Sequence, residues 1–115
     1  MINRDIYNNP IFQKKCKTHP GKQKEIGGLL LHTRQVVKKA LELNQGLDIK
    51  EVEETAMVHD INYQDFNLNE CQIMAILATK GKVPYKIWRK SKCCELVALL
   101  LIADMWSAFI NKNDK

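Results

Sequence analysis

The chain has 115 residues, enough for one domain with a single modest core of four to six helices and too few for two. Its 27% charged and 45% hydrophobic residues are ordinary for a soluble globular protein. No stretch approaches the roughly 20 apolar residues of a membrane span, since the longest run, "LVALLLIA", is interrupted by Asp104.

Taken in chain order, the N-terminal "MINRDIYNNP" lacks the apolar segment of a secretory signal, which leads to the expectation of a cytoplasmic protein. A short helix with "IFQKKCK" as its core is expected within the first 18 residues. Pro20 and Gly21 precede a segment whose apolar residues, Leu29, Leu30, Val36, Val37, Ala40, Leu41 and Leu43, recur at helical spacing, predicting a helix over 26–45. Asn44, Gln45 and Gly46 close it. Asp48 with Glu51 three residues on has the pattern of a capping box and starts a helix over about 49–60. Asn67 and Glu70 repeat the signature before a helix that runs through "CQIMAILATK" and stops at Gly81. Pro84 restarts a short helix or turn, and Ser91 caps a last helix reaching about residue 111. No segment alternates with a strand period for long. The predicted fold is all-α, a compact single-domain bundle of about five to six helices over residues 1–115.

The net charge of +5 and pI of about 9.1 create a positive field that attracts anions, whether nucleotides, nucleic acid or acidic proteins. The cations cluster in "KKCKTHPGKQK", residues 14–24, and "KGKVPYKIWRKSK", residues 80–92. Cys16, Cys71, Cys93 and Cys94 show no CxxC spacing and are read as reduced thiols.

Four polar residues break the apolar helix faces: His32, His59, Asp60 and Asp104. His32 has Leu29 three residues before it and Val36 four after, so its ring projects from the packed stripe. Asp104 lies mid-helix, with Val97 and Leu100 on the same face, where an isolated carboxylate must be neutralised or matched by a cation. His59 and Asp60 occupy a helix's last turn, where the dipole favours a nearby cation. One such residue is easily explained as a satisfied core histidine or a cap; four are not. Two imidazoles and two carboxylates suit one divalent metal ion such as Mn, Fe, Co, Ni, Zn or Mg.

The segments "GGLLLHTRQVV", "AMVHDINY" and "LLLIADMWSA", in this order, resemble the three motifs of the HD-domain metal-dependent phosphohydrolases, over roughly residues 19–108. The resemblance implies a compact helical bundle, His32, His59, Asp60 and Asp104 as metal ligands, and hydrolysis of a phosphate ester of a nucleotide or short nucleic acid. Many members follow the His-Asp pair with Ile-Gly-Lys, where this chain has Ile61, Asn62 and Tyr63. Members with two metals add histidines between the pair and the last aspartate; residues 61–103 contain none here, so the resemblance favours one ion over two. Tyr63 also stands where the nucleotidase branch has a catalytic glutamate, making Asp65 the nearest substitute carboxylate beside Asp60.

For such chemistry a bound ion would activate a water as nucleophile and neutralise phosphoryl charge. Lys80 and Lys82, in a loop between ligand-bearing segments, are the leading candidates for phosphate contacts. Lys22 and Lys24 could act from the other side, and Arg34 only from the rim, being two residues from His32. Tyr85 and Trp88, set among cations, suit stacking on a base. The competing readings are a metal-containing nucleotide- or protein-binding module without catalysis, and a basic nucleic-acid-binding protein without a metal, which would leave Asp104 unexplained.

Overall fold

A computed structural model describes residues 4–13 and 28–112. Five α-helices, with short 3₁₀ turns, make up its regular structure, and there is no strand among the described residues. The helices are α1 (Gly28–Leu43), α2 (Ile49–Val58), α3 (Glu70–Thr79), α4 (Tyr85–Trp88) and α5 (Cys94–Lys112).

Helix α5 is the central element and packs most extensively on α1 and α3, while α2 closes against α1. Helices α1 and α5 are antiparallel: His32 and Gln35 meet Ser107, whereas Leu43 faces Ala98 and Leu99 across a groove. The core takes Val36 and Ala40 from α1, Val52, Ala56 and Met57 from α2, Ala75 and Ile76 from α3, and Leu96, Val97, Leu100 and Ala103 from α5. These positions are the apolar stripes expected from helical spacing, and burying them is what orders the helices.

Local signals set the helix ends. Asp48 caps α2 by accepting from the Lys50 amide at 3.1 Å. The box before α3 is not at Asn67 and Glu70 but two residues later: Asn69 accepts from the Gln72 amide, and its own amide donates to Gln72 Oε1, each at 2.9 Å. Both pairs fit the pattern, but Leu68 packs against the core. Starting the helix after Leu68 leaves that residue in the connection and buries Gln72, which extends its amide to the Glu51 carbonyl. Helix α3 ends ahead of Gly81, whose φ of 73° is the left-handed conformation that glycine adopts without penalty. Ser91 accepts from the Cys93 amide at 3.1 Å just before α5.

Two further expectations change. Residues 4–13 form 3₁₀ turns, Arg4–Asn8 and Pro10–Gln13, instead of an α-helix; residues 14–18 lie outside the described residues. Cys71 and Cys93 are not reduced thiols but a disulfide, their Cα atoms 4.9 Å apart. The fold brings the start of α3 onto the start of α5, joining positions 22 residues apart in sequence. Cys94 is free, and Cys16 is outside the described residues. No described helix is long and apolar enough to cross a membrane.

Candidate metal centre

Three helices deliver the four polar residues to one point. His32 comes from the N-terminal part of α1, His59 caps the C-terminus of α2 with Asp60 immediately after it, and Asp104 comes from the middle of α5. Both histidines are fully buried. The carboxylates retain some contact with solvent, with 26% of the Asp60 side chain and 19% of that of Asp104 exposed.

Each imidazole is oriented from behind. His59 Nδ1 lies 2.7 Å from the Ala56 carbonyl, which can only accept, so Nδ1 carries a proton. His32 Nδ1 lies 2.9 Å from Ser107 Oγ, and Ser107 donates its single proton to Gln35 Oε1 at 2.8 Å. Ser107 therefore accepts from His32 Nδ1–H. Both rings thus turn Nε2 inward, where the imidazole offers a lone pair once it is neutral. Such hydrogen bonds behind ligating histidines fix ring orientation and raise basicity.

The inward atoms have the spacing of a coordination shell. His32 Nε2 is 3.2 Å from His59 Nε2, 3.2 Å from Asp60 Oδ2 and 2.9 Å from Asp104 Oδ1. His59 Nε2 is 3.3 Å from Asp60 Oδ2 and 3.4 Å from Asp104 Oδ1. The remaining pair, the two carboxylate oxygens, is separated by no more than 4.8 Å. Ligands about 2.1 Å from one ion stand about 3.0 Å apart when adjacent in an octahedron and about 3.4 Å apart in a tetrahedron. The group could hold a metal ion, and its mixed nitrogen and oxygen donors suit a divalent one.

Without an ion, protons must provide the positive charge. Burial works against a charge on His59, but the Asp60 carboxylate beside it and the hydrogen bonds that His59 donates to Asp104 and Asp60 outweigh burial and raise its pKa to about 10. Burial likewise opposes charge on His32, yet contacts with Asp104 and Asp60 push its pKa up. Burial favours the neutral form of both carboxylates, but is overcome for Asp60 chiefly by the His59 charge and for Asp104 by the hydrogen bond from His32. Both are held below the usual carboxylate range. The centre is thus anionic when its histidines are neutral, and protons and a cation compete for it.

The other candidate residues are dispersed. Lys80, at the C-terminus of α3, places Nζ 3.8 Å from Asp60 Oδ1, the oxygen turned away from the histidines. Lys82 is exposed two residues beyond. Arg34 points elsewhere, its guanidinium 5.1 Å from the centre of the Tyr7 ring. Asp65 is exposed and borders a separate groove with Asn9, Ile61 and Asn62, so its carboxylate is not part of the four-residue group. Lys22 and Lys24 lie outside the described residues. Tyr85 is exposed and meets Trp88 edge to face at 4.9 Å, while Trp88 is partly buried against the core.

Sequence reasoning did not single out Ser107, Gln35 or the Ala56 carbonyl. A signal was present in all three: each is three residues from a member of the group, one helical turn away on the same face. No family model, curated protein or solved structure matches the chain, and it is the geometry of this buried His-His-Asp-Asp group in an all-helical fold that is compatible with an HD-type site.

Proposed function

We propose that the protein is a metal-dependent phosphohydrolase that cleaves a phosphate ester of a nucleotide or short nucleic acid. The observation that carries this reading is the convergence of four ligand atoms, both imidazoles tied from behind, beside an ammonium group on the outer oxygen of Asp60.

In this reading His32 and His59 Nε2, Asp60 Oδ2 and Asp104 Oδ1 hold one divalent ion. When bound, such an ion lowers the pKa of water and neutralises charge on a phosphoryl oxygen. Ser107 and the Ala56 carbonyl keep the two imidazoles aimed inward while substrate enters and leaves. Asp60 divides its labour, with Oδ2 in the group and Oδ1 at the rim beside the Lys80 ammonium, where it can also accept a hydrogen bond from a water. Its depressed pKa makes it an acceptor that orients a proton rather than one that keeps it.

Lys80 can exchange its contact with Asp60 for one with a phosphate oxygen at little cost, since partly exposed ion pairs are weak. Beyond it, Lys82, Lys86, Arg89, Lys90 and Lys92 extend positive charge along a segment with no acidic residue. That segment suits a polyanion, and exposed Tyr85 suits a base stacked at its side.

The test is metal binding by calorimetry, followed by assays with Mn, Co, Ni, Mg or Zn on a phosphodiester, a phosphomonoester and nucleoside triphosphates. The expected result is hydrolysis of at least one class by the metal-loaded protein and none by Asp60→Ala. Metal binding without turnover of any substrate would leave a metal-containing binding module in its place.

A further inference from the structure

Helix α5 is apolar on two opposite sides. One side supplies Leu96, Val97, Leu100 and Ala103 to the core and Asp104 to the polar group. The other carries Ile102, Met105 and Phe109, which are 54%, 68% and 66% exposed. Between Glu95 and Lys112 the helix has one charged residue, Asp104, and it faces inward. An outer helix face with this much apolar surface is unusual for a lone soluble domain.

The face follows a strict repeat. Glu95, Ala98, Ile102, Met105, Phe109 and Lys112 are spaced alternately by three and four residues, the seam of a two-helix coiled coil. The repeat is self-complementary when reversed. Turning a second α5 antiparallel about a point between Ile102 and Met105 sets Ile102 opposite Met105, Ala98 opposite Phe109 and Glu95 opposite Lys112. In that register Ala98 falls opposite Phe109, and the two ends of the repeat, residues 95 and 112, carry opposite charges.

The surface beside the stripe fits the same arrangement. A groove of about 410 Å³ runs between the end of α1 and the start of α5, lined by Leu43, Leu47, Ala98, Leu99 and Ile102. Phe109 of the partner subunit, opposite Ala98, would lie at the mouth of this groove. The two-fold axis makes that insertion reciprocal, so a single apolar anchor is used twice.

We propose that this face is a homodimer interface in which two α5 helices pack antiparallel through Ala98, Ile102, Met105 and Phe109. The occupant is a second copy of this chain, because size and charge along the stripe match their own reverse. The Asp104 face remains turned inward in each copy, so dimerisation leaves the polar groups accessible from the other side of the helix.

Sedimentation velocity of the 115-residue chain from about 1 to 500 µM tests this. The expected result is a reversible monomer–dimer equilibrium. Phe109→Glu should weaken it at least tenfold while leaving the circular dichroism spectrum unchanged. Should Phe109→Glu disturb folding, the charge pair gives an independent reading. Glu95→Lys should weaken the dimer several-fold by opposing like charges, and Glu95→Lys combined with Lys112→Glu should restore it. A chain that is monomeric throughout this range would overturn the proposal, as would a dimer indifferent to Phe109→Glu. Dimerisation unaffected by Glu95→Lys would overturn the antiparallel register, because only that register pairs residue 95 with residue 112.

Discussion

The polar group at the centre of the fold and the basic connection over 80–92 meet at Asp60, and they are held in different ways. In the first, His32 and His59 are fully buried, each fixed at Nδ1 by a named acceptor and at Nε2 by carboxylates. In the second, Lys82, Lys86, Arg89 and Lys90 are exposed, and the segment is anchored by Val83 and Trp88 against the core and by the Cys71–Cys93 disulfide that follows it, which leaves its charged side chains in solvent. Lys92 pairs with Glu70 at 3.6 Å, where both side chains are largely in solvent. The contrast separates two requirements of a phosphate-handling site. Ion binding needs atoms fixed to fractions of an ångström before the ion arrives, whereas attraction of a polyanion needs charge near the site but little fixed geometry.

The largest test of that contrast removes a central group and compares it with a peripheral one. Asp104→Ala should eliminate stabilisation by added Mn or Ni. It should also cost the metal-free protein about 3 kcal/mol, because it leaves buried imidazolium charge with half of its compensation. Lys82→Met should change metal-free stability by less than about 0.5 kcal/mol, as surface substitutions generally do. Thermal melts of both variants, with and without the ion, measure the difference; equal losses would mean the centre is no more tightly built than its rim.

A second, smaller effect needs no substitution. His59 has its pKa raised from 6.5 to about 10, so its contribution to metal-free stability is complete below pH 6.5 and is lost as pH rises toward 10. Asp60 and Asp104 are shifted down, so their contribution is present above about pH 3.8 and is lost as pH falls below it. The metal-free protein should therefore be most stable between about pH 4 and 6.5. Metal binding requires both Nε2 atoms deprotonated, so the increment from added ion should grow over the alkaline range where metal-free stability declines. Parallel melting curves from pH 6 to 9, with and without Ni, would show that the ion does not replace protons on these imidazoles.

The same contrast governs what the sequence made legible. The helices, the apolar stripes and the four interruptions at His32, His59, Asp60 and Asp104 could be read because each is encoded within a few residues by helical spacing. The box at Asn69 was harder, since Asn67 with Glu70 satisfies the same local rule and only packing of Leu68 decides between them. The Cys71–Cys93 pairing depends on how α3 meets α5, which neither spacing nor composition specifies. Lys80 and Lys82 have equal standing in sequence, yet one lies beside Asp60 and the other in solvent, because α3 ends at the first and Gly81 redirects the chain before the second. Ser107 was missed because one serine on an apolar helix face carries no label until His32 is seen against it.

The smallest expected effect separates those two lysines. The Lys80 ammonium, 3.8 Å from a carboxylate of the group, opposes a second cation there, so Lys80→Met should raise metal affinity a few-fold. That corresponds to less than about 1 kcal/mol, the range of partly exposed ion pairs. The same substitution should weaken binding of a phosphate-containing ligand such as an oligonucleotide. Lys82→Met should also weaken the oligonucleotide, more at low salt than at high, because an exposed charge acts through a screened field. It should leave metal affinity unchanged. Calorimetric titration of each variant with Mn and with a short oligonucleotide reads both quantities. Opposite signs for Lys80 and a single sign for Lys82 would locate the boundary between the fixed centre and its adaptable rim at the end of α3. The same response from both would move that boundary outward, with Lys82 belonging to the centre in solution.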